Sequence, residues 1–165
     1  MRLLILCLLP YMSIFLESTF FARYPVLGVG PDLVLVFVAF YAIIYGSGKG
    51  AGYGFLCGLF KDLYLGRFIG LNAVSLTLTA LLLGWWEVKL FKENVLVGLM
   101  AGVLGTVVNS ILVLLLMLAG TGDPDIAKTI FAGMVGQTAY NGLLSVPLYI
   151  WYYKSSRSGV LRLSR

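Results

Sequence analysis

Six apolar runs follow one another along the chain, at about residues 3–22, 32–46, 48–65, 69–86, 95–119 and 126–153, with only short polar or glycine- and proline-bearing breaks between them. About 20 apolar residues make one helical membrane crossing, so six crossings use most of the 165 residues and leave only termini and loops. Charge is correspondingly scarce, with 12 Lys and Arg and 7 Asp and Glu. A water-soluble fold of this size could not cover its apolar surface with so few charges. An ordinary cytosolic enzyme is therefore excluded, and so is disorder, which requires low hydrophobicity. No run alternates with the two-residue period of an outer-membrane barrel strand. The sequence predicts an all-α polytopic membrane protein, one integral-membrane domain over 1–165 with six transmembrane helices.

Local signals place the breaks. The first run begins after Arg2, as a signal peptide would, but Glu17 interrupts it and no small-x-small cleavage site follows, so it reads as a retained helix. Gly28, Gly30 and Pro31 break the chain and Asp32 opens the second run, where a carboxylate is favoured by the helix dipole. Residues 87–94 are polar, and Thr121-Gly122-Asp123-Pro124-Asp125 is a stop-and-restart signal, with Asp as candidate N-cap and Pro at the first helical position. Cys7 and Cys57 both lie in apolar runs and read as buried thiols rather than a disulfide. With no His and no Cys pair at ligand spacing, nothing suggests a metal or other cofactor. No basic stripe with interleaved aromatics points to nucleic acid.

The basic residues set an orientation. With the N-terminus in the cytoplasm, six crossings leave Arg2, Lys49, Lys89, Lys92, Lys154, Arg157, Arg162 and Arg165 inside, with Glu87 and Glu93. Arg23, Lys61, Arg67 and Lys128 fall outside, with Glu17, Asp32, Asp62, Asp123 and Asp125. Both termini are therefore expected in the cytoplasm, and the outer pole is expected to carry a sparse acidic cluster. Trp85-Trp86 and Trp151-Tyr152-Tyr153 fall at the inner interface and read as an anchoring belt. Glu17 is the acid set most deeply in an apolar run; a proton-coupling role and a structural charge cluster are both open to it.

Small residues recur at helical spacing. The third run carries Gly46, Gly50, Gly54 and Gly58 four apart, with Asp62 on the next step. The fifth carries Gly98, Gly102, Gly105 and Asn109, and the sixth Gly133, Gln137, Asn141 and Ser145. Such ladders let another backbone approach closely, either a neighbouring span of the same chain or a partner helix. Amides in a bilayer need hydrogen-bond partners, so Asn109 is expected to meet Gln137 or Asn141. These three residues are the intramembrane polar packing set.

Glu17-Ser18-Thr19 at the end of the first span, Pro31-Asp32-Leu33 opening the second, Gly50-x3-Gly54-Phe55-x2-Gly58-Leu59-x2-Asp62 in the third and Asn141-x5-Pro147 in the sixth occur in one order over about 165 residues. In that order and spacing the chain resembles the rod-shape-determining MreD family. The resemblance implies a fold like that of the substrate-binding subunits of energy-coupling-factor transporters, in the bacterial cytoplasmic (inner) membrane. It implies a non-enzymatic subunit of the cell-elongation complex that docks MreC, a single-span protein, and helps regulate or position peptidoglycan synthesis. MreB, RodA and the elongation transpeptidase would be indirect partners, with membrane lipids around them. Carried over by position, the family's recurrent residues are Glu17, Asp32, Gly54, Gly58, Asp62, Asn141 and Pro147. The expected docking face is Gly50, Gly54 and Gly58, with Asp62, Glu17 and Asp32 orienting the partner segment at the outer pole. The alternative is a small-solute transporter or the binding subunit of a vitamin transporter. The first span lacks the Ala-x3-Ala docking signal of those subunits, reading Leu3-Leu4-Ile5-Leu6-Cys7-Leu8-Leu9.

Overall fold

From Leu33 to Tyr45 the chain has no charged residue on any face, and a helix apolar all round has to be covered all round. The computed structural model, which describes residues 2–25, 28–66, 68–86, 94–121 and 124–158, puts this segment at the centre. Among the described residues there are six α-helices, one 3-10 turn and no strand. In chain order these are α1 (Arg2–Thr19), the 3-10 turn (Phe21–Arg23), α2 (Leu33–Tyr45), α3 (Ser47–Leu65), α4 (Leu71–Trp85), α5 (Val95–Thr121) and α6 (Pro124–Ser158). Helix α2 touches all five others, and α3 with α4 and α5 with α6 form the two closest antiparallel pairs. On one side of α2, Phe37 and Phe40 meet Tyr149 and Tyr152 of α6. On the other, Val34, Val38 and Ala42 pack with Ile14, Cys57 and Leu76.

The stretches Ile5–Arg23 and Val95–Thr121 are long and apolar enough to cross a membrane. Helix α2 is not. Its 13 residues rise about 20 Å at 1.5 Å each, against a hydrocarbon core of about 30 Å. Helix α1 stays helical through Pro10. A proline there cannot bond the carbonyl four residues earlier, and the Tyr53 hydroxyl of α3 donates to that carbonyl, on Leu6, at 3.0 Å.

The glycines bring the helices together. A Cβ on Gly50 would lie 2.6 Å from the Ala42 side chain, and one on Gly54 2.7 Å from the Leu76 carbonyl oxygen. At Gly58 it would run into the backbone of Asn72 and Ala73. The α3 ladder is thus filled by α2 and α4 and presents no open face to a partner helix, contrary to the docking expectation. Gly98 and Gly102 of α5 likewise receive Tyr149 and Ser145 of α6. Gly46 leaves its ladder to form the α2–α3 turn at φ 92°, and Gly84 of α4, which no ladder singled out, presses against the backbone of that turn.

Two smaller expectations also change. Cys57 is buried but Cys7 is exposed, on the outward side of α1. Trp85, Trp86 and Trp151 are exposed, whereas Tyr152 is core. The readings made of Arg67, Glu87, Lys89, Lys92, Glu93, Gly122, Asp123, Arg162 and Arg165 lie outside the described residues.

Gly58→Ala should lower unfolding stability in detergent by about 1–3 kcal/mol, the usual cost of overpacking. Gly52→Ala on the same helix, where a Cβ meets nothing within 4 Å, should be neutral or stabilising by up to about 1 kcal/mol. Thermal melts of both variants make the comparison.

Candidate functional site

Any α-helix begins with four N–H groups that have no partner within the helix. In α2 those groups belong to residues 32–35, inside the bundle, and side chains from three helices meet every one of them. Asp32 N–H donates to Asn141 Oδ1 of α6 at 2.8 Å. Leu33 N–H and Val34 N–H both donate to Glu17 Oε1 of α1, the second at 3.3 Å. Leu35 N–H donates to the Asp32 carboxylate at 3.0 Å, making Asp32 the N-cap. Only with Val36 N–H to the Asp32 carbonyl does the helix's own ladder begin.

The node extends further through its side chains. Lys61 Nζ of α3 is ion-paired with Asp32 Oδ2, and their side chains are 13% and 7% exposed. Asn141 Nδ2 donates to Thr106 Oγ1 of α5 at 2.8 Å, and Thr106 in turn donates to the Gly102 carbonyl at 2.6 Å. Helices α1, α3, α5 and α6 are therefore all fastened to the start of α2. The two carboxylates are stabilised there by one lysine and by the positive end of the helix dipole.

Asp62, the residue after Lys61, does the same for α4. It is 1% exposed and accepts from Gly70 N–H, Asn72 N–H and Ala73 N–H at 2.9, 3.0 and 3.0 Å, and from Asn72 Nδ2 at 2.8 Å. The turn that makes this possible uses Gly66 at φ 65° and Gly70 at φ 101°, backbone that a residue with a Cβ enters only at a cost.

Asp32 and Asp62 are buried as helix caps and are not available at the surface to orient a partner, and Glu17, half-buried, has its Oε1 on the start of α2. Asn141 takes Thr106 and Asp32, while Asn109 Oδ1 lies 3.4 Å from the Thr79 hydroxyl of α4, whose proton is shared with the nearer Ser75 carbonyl. The expected amide pair across α5 and α6 is not formed, because the two asparagines face different neighbours. Gln137 is half-buried. Residues the sequence did not single out are Lys61, Thr106, Asn72 and Tyr53. Lys61 and Asn72 carried a usable signal: each stands beside a helix-boundary feature, Asp62 for one and Gly70 for the other. Among the described residues no group of three or more His, Cys, Asp or Glu is placed to hold a metal ion.

The family described as rod shape-determining protein MreD matches the chain over residues 1–158. No curated protein and no solved structure matches it.

Lys61→Met leaves the Asp32 charge buried without its counter-ion and should destabilise the fold by about 3–5 kcal/mol. Adding Asp32→Asn should recover most of that loss, since the neutral amide still offers an oxygen to Leu35 N–H. Equal instability of single and double variants in chemical unfolding would contradict the pairing. In the same assay Thr106→Val and Asn141→Ala should be non-additive by about 0.5–3 kcal/mol.

Proposed function

The chain belongs to the MreD family and serves rod-shape determination as a membrane protein, and from that premise we propose that it is a non-enzymatic subunit of the bacterial cell-elongation complex. It docks the single-span protein MreC and so helps to position or regulate peptidoglycan synthesis. The observation that carries this reading is how the buried polar groups are used. Glu17, Asp32, Lys61, Asp62 and Asn141 each hold one helix to another. Such a bundle is a rigid platform whose contacts with other molecules lie on its outer faces.

In this reading the helices cross the membrane six times, with both termini in the cytoplasm and the larger share of basic residues inside. Successive helices pack antiparallel, as Gly50 against Ala42, Gly58 against Ala73 and Gly102 against Ser145 require. The start of α2 lies inside the bundle, where side chains rather than water must satisfy its four N–H groups.

Co-expressed with the MreC of the same organism and extracted in mild detergent, the tagged chain should retain MreC through gel filtration. Cells depleted of the chain should become round and regain their rod shape when it is restored. MreC eluting apart from the chain, in cells that stay rod-shaped without it, would reject the proposal.

A further inference from the structure

The two prolines inside helices, Pro10 and Pro147, differ in one respect. Pro10 frees the Leu6 carbonyl, and the Tyr53 hydroxyl takes it up from within the chain. Pro147 lies inside α6 and, lacking an N–H, cannot bond the Leu143 carbonyl. No side chain among the described residues donates to that carbonyl. Leu143 is 73% exposed, and both it and Pro147 line an apolar groove between α5 and α6.

This groove has a volume of about 710 Å³ and is walled by Leu99, Val103 and Val107 of α5 and by Val135, Leu143 and Pro147 of α6. Its α6 wall runs from Met134 to Pro147, about 20 Å of helix. Thr138 stands in the same wall, and its Oγ1 is buried with no hydrogen-bond partner among the described residues. That is unusual in this chain: Thr77, Thr79, Thr106 and Thr129 each return their hydroxyl to the carbonyl four residues back. The groove thus holds an unclaimed hydroxyl and, five residues further along α6, a carbonyl released by proline.

We infer that the α5–α6 groove seats one transmembrane helix of a single-span partner, whose hydroxyl or amide side chains bond the Leu143 carbonyl and, as the Thr138 side chain turns outward about its χ1, the Thr138 hydroxyl. The inference rests on the docking reading above and names its surface. Acyl chains have neither donors nor acceptors, so lipid in the groove leaves both groups unpaired in hydrocarbon. A second copy of this chain fits poorly, because a two-fold interface sets the same patch against itself, here one concave face against another. A single helix is convex and offers a residue to the groove at every third or fourth position. Small or polar residues on such a helix serve as the association points usual in membranes.

A photo-crosslinking amino acid at Val135 or Leu143, and at Leu56 on the outward face of α3, in membranes co-expressing MreC, tests this. Val135, Leu143 and Leu56 are 60%, 73% and 65% exposed, so the label itself should not disturb folding. Adducts with MreC are expected from Val135 and Leu143 and not from Leu56. Leu143→Trp should cut copurified MreC at least about tenfold by filling the groove. Thr138→Val should cut it about threefold to tenfold, the range of one interhelical hydrogen bond in a bilayer. Both variants should elute as the wild type in gel filtration. Adducts from Leu56 alone overturn the groove but keep the docking of MreC. Adducts at twice the mass of this chain assign the groove to a second copy and overturn the inference. Copurification of MreC with no adduct from either groove position overturns it in favour of lipid. Loss of both adducts and copurification in the unsubstituted background rejects the docking reading itself.

Discussion

The start of α2 is the constraint on which the rest of the structure depends. A helix end set inside an apolar bundle exposes four N–H groups with no water to meet them, and leaving any one unpaired costs more than a typical hydrogen bond returns. The chain answers with Glu17, Asp32 and Asn141. Each answer imports a demand of its own. Two buried carboxylates call for a cation, supplied by Lys61, and the Asn141 amide calls for an acceptor, supplied by Thr106. Followed outward in this way, one helix terminus fixes the relative placement of α1, α2, α3, α5 and α6.

Close approach of backbones is the second half of the same solution. Hydrophobic burial gives little net drive for helix association in lipid, so contact and hydrogen bonding must supply it. Gly50, Gly54 and Gly58 bring α3 against α2 and α4, which is near enough for Asp62 to reach three backbone N–H groups at the start of α4. A larger residue at Gly58 would separate α3 from α4 at the level where Asp62 acts. The glycine spacing and the acid that ends it are therefore one device: the glycines set the distance and the carboxylate uses it.

This division shows which parts of the structure were legible in the sequence. Helix positions could be read because apolar runs and Gly or Pro breaks are local, and so could the importance of Glu17, Asp32, Asp62 and Asn141, since polar groups in an apolar run must have a purpose. Their direction could not be read. A carboxylate at a helix boundary has the same sequence signature whether it faces a partner or caps a neighbour, and only tertiary placement decides. Asn109 shows the same limit. Its depth in α5 was readable, but whether it turns to α4 or α6 depends on helix rotation, which no local pattern encodes, and Thr79 was the neighbour it found. Tyr53 is the clearest omission. Its meaning depends on Pro10 in another helix, and nothing within its own run marks it.

The two ends of α2 also explain why the halves of the molecule differ. A central helix of 13 residues reaches about two-thirds of the way across a hydrocarbon core, so helices packed on it are matched to it over only part of their length. Helices α5 and α6, with 27 and 35 residues, run well past the α2 terminus, where they lean on each other and on the segment before α2, with Val29 against Gly133. Over that length the interior lacks the ring of neighbours that surrounds α2. The proline at position 147 and the unpaired threonine at 138 stand on the outward side of this same pair. A bundle that spends its buried polar groups on one short central helix keeps its remaining hydrogen-bonding capacity on the hairpin that outgrows it. That hairpin is accordingly the part of the surface where an added helix gains most from hydrogen bonding.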